Sequence, residues 1–433
     1  MVAGSRGNAM RRTATAVANQ GLSSATNLGV NLYLIASLAP DAYGEYVLAF
    51  VACSFAVAML DAVWLTQMVV GAGAVAQPDV RAFARRCLSA GLAHVLPVSA
   101  ALTIAALTAF YFDGGNLFLY AGTTMLAITG VVLRDFMFRY GYLSGKEGKV
   151  MAGQLIFSGA LAVLLLVDHV LLPMHSPAYV LLFYCLAGLV SAGFAYHALG
   201  LAGGRLPWHE AQSTRAVLWR GGRWASGSTL ISWTQTQSAN YVMVFVAGVA
   251  AVGESNAVRI LLSPFAMLSP GVQAVALPRL VRLWAWDPQQ ALRWGTRLAV
   301  LMWVICIAYC LVLWMLLDLL EQEFFAPRGY GNVHLFALAW MVVICFDLAK
   351  SQLSLILKAA SRFRNLMFMT GVSASVAIVA AFSLGQVMGG PGSVFGLAVG
   401  ESVIVLLLAV SLWKLRTTLA NGASSASAKP TLE

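Results

Sequence analysis

Several ionisable side chains lie inside stretches of sequence that are otherwise apolar, and they define the chemistry that this chain could perform. They are Asp61, Arg134, Asp135, Arg259, Asp347, Lys350 and Glu401. A charge inside a lipid-spanning segment costs about 2.5 to 3.5 kcal/mol or more, so such groups normally pair or face water. The three bases Arg134, Arg259 and Lys350 suit an anionic head group, because guanidinium groups match phosphate oxygens. Arg134 could instead extend its charge to the cytoplasmic interface.

The carboxyl groups of this set are candidates for proton or cation coupling. We assign that role to Asp61, Asp347 and Glu401. Asp347 and Lys350 are three residues apart and can meet on one helix face, so they form either a structural or a functional ion pair. Glu401 has two possible roles, a coupling group or a carboxyl that packs between helices.

Two polar stripes form a further candidate site. Within each stripe the residues lie at i, i+3, i+7 and i+11, which is one face of a helix. A shift of 209 positions relates the stripes, and a shift of 216 relates Arg134 to Lys350. Such recurrence predicts two equivalent helices that line a groove, although Ser, Thr and Asn also join membrane helices by packing. The stripes are Gln20, Ser23, Asn27 and Asn31, and Thr229, Ser232, Thr236 and Asn240.

The elements that position these residues must be membrane helices. The chain is 60% hydrophobic and 10% charged, with a mean hydropathy of +0.79. Backbone polar groups in lipid must pair within their own segment, which favours helices. Hydrophobic runs of about 20 residues and the breaks between them predict twelve spans. These lie near 14–39, 43–70, 88–111, 117–140, 150–172, 178–202, 221–249, 252–280, 291–318, 333–358, 365–387 and 393–414.

The repeat predicts an all-α polytopic membrane protein with two six-helix lobes. Because six is an even number, both lobes enter the membrane from the same side, so a pseudo-two-fold axis runs along the membrane normal around a central cavity. We place the lobes at 1–205 and 206–418. The small, polar residues 419–433 are expected to form a disordered cytoplasmic tail.

The net charge of +10 reports membrane topology and not nucleic-acid binding. Basic residues cluster in alternate connections, whereas the other connections carry mainly Asp and Glu. Cytoplasmic loops attract Lys and Arg, so both termini are expected in the cytoplasm of a bacterial cell with the chain in its inner membrane.

No enzyme, cofactor or metal site is predicted from motifs. The sequence contains no Walker loop, no nucleophile motif and no metal-ligand spacing. The six cysteines lie in or at the ends of apolar spans, where cysteine behaves as a small hydrophobe. A membrane glycosyltransferase would need a sizeable catalytic loop, and none is evident.

Short segments resemble the polysaccharide transporter family, which includes the O-antigen flippases and belongs to the multidrug/oligosaccharidyl-lipid/polysaccharide flippase superfamily. They are Leu-Ala-Pro-Asp-Ala-Tyr-Gly-Glu-Tyr at 38–46, Ala-Ala-Val-Gly-Glu-Ser-Asn-Ala at 250–257 and Leu-Pro-Arg-Leu at 277–280. The resemblance implies a flippase that moves a polyprenyl-diphosphate-linked oligosaccharide to the periplasmic leaflet by alternating access. It places the family's basic cavity at Arg134, Arg259 and Lys350.

The resemblance also implies partners: the lipid-linked oligosaccharide, membrane lipids, and a polysaccharide polymerase with its chain-length machinery. Lipid II flippases of the same superfamily usually have fourteen spans, so twelve argues against that branch. A cation-coupled multidrug exporter of the same fold is the alternative, and it is favoured if Asp61 or Glu401 faces the cavity and the bases do not.

Overall fold

The chain is all-helical in the computed structural model, which describes residues 2–72, 80–113, 116–170, 176–202, 208–360 and 362–427. The first half contains α1 (Val2–Ser37), α2 (Pro40–Leu60), α3 (Thr66–Ala72), α4 (Val80–Asp113), α5 (Asn116–Leu143), α6 (Glu147–Val170) and α7 (Ala178–Ala198). The second half contains α8 (Ala211–Arg259), α9 (Ser263–Trp286), α10 (Pro288–Met315), α11 (Leu317–Leu320), α12 (Val333–Ala359) and α13 (Phe363–Ser427).

Irregular turns join or interrupt some of these helices. A π-helical turn at Asp61–Leu65 connects α2 to α3, so the two form one continuous span. Gly248 breaks α8 with φ 83° and ψ 178°, and Gly389 breaks α13 with φ 65° and ψ −142°. Glycine adopts such angles because it has no Cβ.

The predicted all-α membrane fold is confirmed. Each predicted span has a helical counterpart once α2 is joined to α3 and once α8 and α13 are divided at their glycine kinks. The span predicted at 252–280 corresponds to the second arm of α8 and α9, which a 3₁₀ turn at Ile260–Leu262 joins. By length and composition alone, nine helices of the described residues are long and apolar enough to cross a membrane. The polar first helix is not among them.

The described residues fall into two compact units, and the lobe bounds given above stay a prediction. Unit 1 takes Met1–Leu34 and Glu45–Leu230, and unit 2 takes Ile35–Gly44 and Ile231–Glu433. Helix α8 therefore begins in unit 1 and ends in unit 2. Helix α13 continues to Ser427, within the stretch expected to be disordered, and residues 428–433 lie outside the described residues.

Close helix contacts build the core of each unit. In unit 1, α5 and α7 touch through Gly130 and Gly188, where a Cβ on Gly188 would lie 2.7 Å from the Gly130 carbonyl carbon. In unit 2, a Cβ on Gly396 would lie 2.1 Å from the backbone of Ala381, because the two arms of α13 pack backbone to backbone. Small residues at helix contacts are typical of membrane bundles, where close backbone approach replaces the hydrophobic effect.

Candidate functional site

Unit 1 encloses a polar cavity of about 320 Å³. Residues of α1, α2, α5 and α7 and of the π-helical turn line it. Its polar lining residues are Ser23, Asn27, Ser54, Asp61, Arg134, Asp135, Arg139 and Tyr184. Two residues of the first polar stripe and three of the predicted intramembrane charged groups therefore meet in one place.

The cavity's charges are paired with each other. Arg139 Nη2 lies 2.6 Å from Asp61 Oδ1, and Arg134 Nη2 lies 2.7 Å from Asp135 Oδ1. The π-helical turn begins at Asp61, which also accepts a hydrogen bond from Thr66 Oγ1. Two guanidinium groups and two carboxylates thus leave this cavity with no net formal charge.

Two aromatic rings contact the guanidinium group of Arg134, in addition to the carboxylate of Asp135. Its guanidinium carbon lies 4.2 Å from the centre of the Phe157 ring and 5.7 Å from that of Phe138. The side chain is 12% exposed. A cation over an aromatic face is attracted by the ring quadrupole, so the two rings and Asp135 together restrain this arginine inside the unit.

The first polar stripe is divided between cavity and surface. Tyr184 Oη donates a hydrogen bond of 3.0 Å to Asn27 Oδ1, and Asn31 Nδ2 donates to the Asn27 carbonyl. Ser23 is half-buried, whereas Gln20 and Asn27 are exposed. The stripe thus has exposed members at Gln20 and Asn27, and its role in ligand binding stays a prediction.

The second stripe has a different environment, and all of it except Thr229 belongs to unit 2. Asn240 is 2% exposed and accepts a hydrogen bond from Asn256 Nδ2, which joins the two arms of α8 across the kink. Thr236 is exposed and donates to the Trp233 carbonyl, and Thr229 is half-buried. The side chain of Ser232 lies outside the described residues. Asn240 is therefore a packing residue of the kind that also explains such stripes.

Unit 2 contains a partly buried three-charge cluster. Lys350 Nζ lies 2.7 Å from Asp347 Oδ1, 2.7 Å from Glu401 Oε2 and 2.9 Å from Glu401 Oε1. Glu401 is 3% exposed, whereas the Asp347 side chain is 41% exposed. Two carboxylates surround one ammonium group, so the cluster carries one formal negative charge.

Two neutral side chains complete this cluster, and sequence reasoning missed both. Gln235 Nε2 donates to Ser373 Oγ at 3.1 Å and approaches Glu401 Oε1 at 3.4 Å, while Ser373 donates to the Gly400 carbonyl. Gln235 precedes the predicted stripe residue Thr236 and so lies on another helix face. Its polar type in an apolar span was the available signal.

Arg259 has a different environment from the other predicted bases. Its guanidinium carbon lies 5.0 Å from the centre of the Trp340 ring, and Trp340 Nε1 donates a hydrogen bond to Ser255 Oγ. Among the side chains that the structure describes, no carboxylate is close enough to form an ion pair with it. Arg259 is exposed by its accessible surface area, although many protein atoms lie near its guanidinium group. Asp347 interacts with it electrostatically at a distance longer than an ion pair.

A larger cavity of about 550 Å³ also lies in unit 1, but it carries little chemistry. Apart from Arg215 its lining is apolar, and it includes Trp64, Leu218 and Trp219. The smaller polar cavity is the better candidate, because convergent polar groups and not volume distinguish a binding site.

Comparison with solved structures identifies the architecture that carries these groups. An inward-facing multidrug resistance MATE family transporter of the MOP superfamily has a TM-score of 0.72 at 13% identity, covering 93% of this chain and 96% of its own. Lipid II flippase MurJ in an inward closed conformation scores 0.69 at 9% identity, covering 93% and 87%. A MATE protein in the straight conformation scores 0.62 at 14% identity, covering 94% and 95%.

The chain has the fold of these membrane transporters. No family model matches the sequence, and no curated protein matches it significantly by sequence. The likeness is therefore one of fold, over nearly the whole length of both partners. In this transporter fold, Arg134 belongs to unit 1, and Arg259 and Lys350 belong to unit 2. A cavity common to all three bases stays a prediction.

Proposed function

We propose that this protein is a flippase that moves a polyprenyl-diphosphate-linked oligosaccharide from the cytoplasmic to the periplasmic leaflet of a bacterial inner membrane. The observation that carries the proposal is Arg259, an exposed guanidinium in a membrane-spanning segment without an ion-pair partner among the described side chains. Such a cation is costly in lipid unless an anion joins it. A diphosphate head group supplies that anion.

Trp340 prepares Arg259 for this role. The guanidinium carbon lies over the indole ring, which is itself fixed by its hydrogen bond to Ser255. A cation–π contact places no anion beside the guanidinium, whose N–H donors can form paired hydrogen bonds to phosphate oxygens. The contact therefore restrains the side chain without neutralising its charge.

The polar groups of unit 1 suit the sugar part of the substrate. Ser23, Asn27 and Tyr184 present hydroxyl and amide groups to the 320 Å³ cavity, and its charges cancel within their own ion pairs. Neutral sugar hydroxyls need such donors and acceptors and no net charge. The lipid chains would remain in the bilayer, and a polysaccharide polymerase with its chain-length machinery would receive the product.

The test compares Arg259→Ala with Arg279→Ala in the full-length protein. Arg279 is an exposed arginine that stacks on Trp294 at 4.7 Å, so it matches Arg259 in type and in aromatic contact. Binding of polyprenyl diphosphate to protein in nanodiscs should weaken about 10- to 100-fold for Arg259→Ala, because a hydrogen bond to a charged group contributes about 1.5–3 kcal/mol. Arg279→Ala should bind normally.

Cells provide the second measurement. Surface glycan should fall in cells that carry Arg259→Ala as the only copy, at a protein level equal to that of Arg279→Ala. Unchanged diphosphate binding and unchanged surface glycan in the Arg259 variant would overturn the proposal.

A cation-coupled multidrug exporter is the second candidate, and the cluster around Lys350 favours it. Two carboxylates opposite one ammonium can exchange a proton or hold a cation. For an exporter, Glu401→Gln should abolish drug resistance while Arg259→Ala leaves it intact. The two variants therefore separate the candidate functions.

A further inference from the structure

Three cysteine thiols meet inside unit 2, away from the charged groups discussed so far. Cys306 and Cys310 are four residues apart on α10, so they share one helix face, and Cys345 approaches from α12. The sulfur atoms of Cys306 and Cys345 are 3.9 Å apart, and all three sulfurs lie within 4.8 Å of one another. The chain positions are separated by 35 residues, which hides the group from any search for ligand spacing.

The spacing of the sulfurs suits one ion bound to all three. Metal–thiolate bonds are about 2.3 Å long, so three sulfurs around a central atom stand about 4 Å apart. Thiolates are soft ligands and select soft ions over hard ones such as Mg²⁺ or Ca²⁺. Cys306 and Cys310 are buried and Cys345 is half-buried, so a ligand can reach the group past Cys345.

Charge decides which soft ion fits. The group consists of three thiols only, within the part of the chain searched for ligands, and it lies in membrane-spanning helices. Three thiolates carry three negative charges, so their complex with a monovalent ion keeps two negative charges and their complex with a divalent ion keeps one. The complex with a trivalent ion is neutral. Because uncompensated charge in a low-dielectric site is costly, the trivalent ion forms the favoured complex.

We propose that Cys306, Cys310 and Cys345 form a binding site for trivalent arsenic or antimony, taken up as the neutral hydroxide. Binding replaces three arsenic–oxygen bonds and three S–H bonds with three arsenic–sulfur bonds and three water molecules. Each thiol proton leaves in a water molecule, arsenic stays trivalent, and no oxidant or reductant is needed. The neutral hydroxide can approach through an apolar environment, and the product is neutral as well.

The bound ion would link α10 to α12. Cys345 lies five residues before Lys350 on α12, so a cross-link there restrains the helix that carries the partly buried charged cluster. This site is independent of the proposed flippase activity, because none of its residues belongs to the substrate or coupling groups.

The experiment uses full-length protein in detergent, reduced and then incubated with arsenite alone. After gel filtration, the wild type should retain one arsenic per chain, and arsenic X-ray absorption should show three sulfur neighbours. Arsenite should also protect three thiols from alkylation. Cys345→Ala and Cys306→Ser should lose retention at least tenfold.

The matched control is Cys185→Ala, which removes a buried cysteine of α7 in unit 1. It should retain arsenic as the wild type does. Cys345→Ala removes a half-buried side chain, and its elution volume checks that it remains folded. The proposal is overturned by failure of the wild type to retain arsenic, by undiminished retention in Cys345→Ala, or by thiol protection with Cu(I) but not with arsenite.

Discussion

Glu401 holds Lys350 with both of its carboxylate oxygens, at 2.7 and 2.9 Å from the ammonium nitrogen. The two residues are on different helices, α12 and α13, and Glu401 is 3% exposed. The pair therefore connects the helices through two desolvated charges. Removing Lys350 would leave the buried Glu401 carboxylate uncompensated in a low-dielectric environment, whereas removing Glu401 would leave Lys350 paired with Asp347.

Removing only Lys350 from this pair should destabilise the protein strongly. We expect Lys350→Met to lower the free energy of unfolding by about 3–5 kcal/mol, because the buried carboxylate of Glu401 then has no cation beside it. Lys350→Met/Glu401→Leu should recover much of that loss, since the buried carboxylate is gone and the remaining Asp347 side chain is 41% exposed. Unfolding by SDS in mixed micelles measures both values. A double variant no more stable than Lys350→Met would show that the ion pair does not dominate the stability of this region.

The ion pair between Asp61 and Arg139 should contribute little to stability, in contrast to the pair between Lys350 and Glu401. Its side chains are 30% and 41% exposed, so the pair contributes only about 0–1 kcal/mol. Asp61→Asn should therefore change stability little, yet it should reduce transport because the carboxylate lines the polar cavity. Thermal unfolding of the purified variant and surface glycan in cells are the two measurements. Ser402→Ala, which removes the hydroxyl of a half-buried serine, is the control. A large fall in stability for Asp61→Asn would identify this pair as structural.

The sequence allowed the helices to be predicted more completely than the site. Long apolar runs must pair their backbone groups internally, so the spans around Asp61 and Lys350 could be read from hydropathy alone. The side chains that pair with Asp61 and Lys350 could not be predicted from hydropathy. Glu401 is 51 residues from Lys350 along the chain, and only helix packing brings them together. Counting bases along the chain predicted a positively charged cavity, but it could not show that Asp135 pairs with Arg134 or that Glu401 pairs with Lys350. Whether the three bases share one cavity stays a prediction.

The contact between α5 and α7 should fail if its glycines are enlarged. A Cβ on Gly130 would lie 2.5 Å from the Cys185 carbonyl oxygen, so Gly130→Ala must push two helix backbones apart. We expect a loss of about 1–3 kcal/mol from overpacking. Gly159→Ala on α6 is the matched control, because its Cβ would meet nothing within 4 Å. The control should gain up to about 1 kcal/mol from helix propensity. Equal stabilities for the two variants in an SDS titration would argue against the close contact.

The kink in α8 should depend on the backbone freedom of Gly248. A Cβ there would meet no atom within 4 Å, so any cost of Gly248→Ala comes from the backbone angles and not from packing. At φ 83° and ψ 178° an L-residue is strained by about 1–3 kcal/mol. Gly227→Ala lies on the same helix with equally open space and ordinary helical geometry, so it should be neutral or slightly stabilising. SDS unfolding compares the two. Equal stabilities for Gly248→Ala and Gly227→Ala would contradict this prediction, because the kink would then straighten at no cost. The hydrogen bond between Asn240 and Asn256, which joins the two arms of α8, would in that case not stabilise a strained turn.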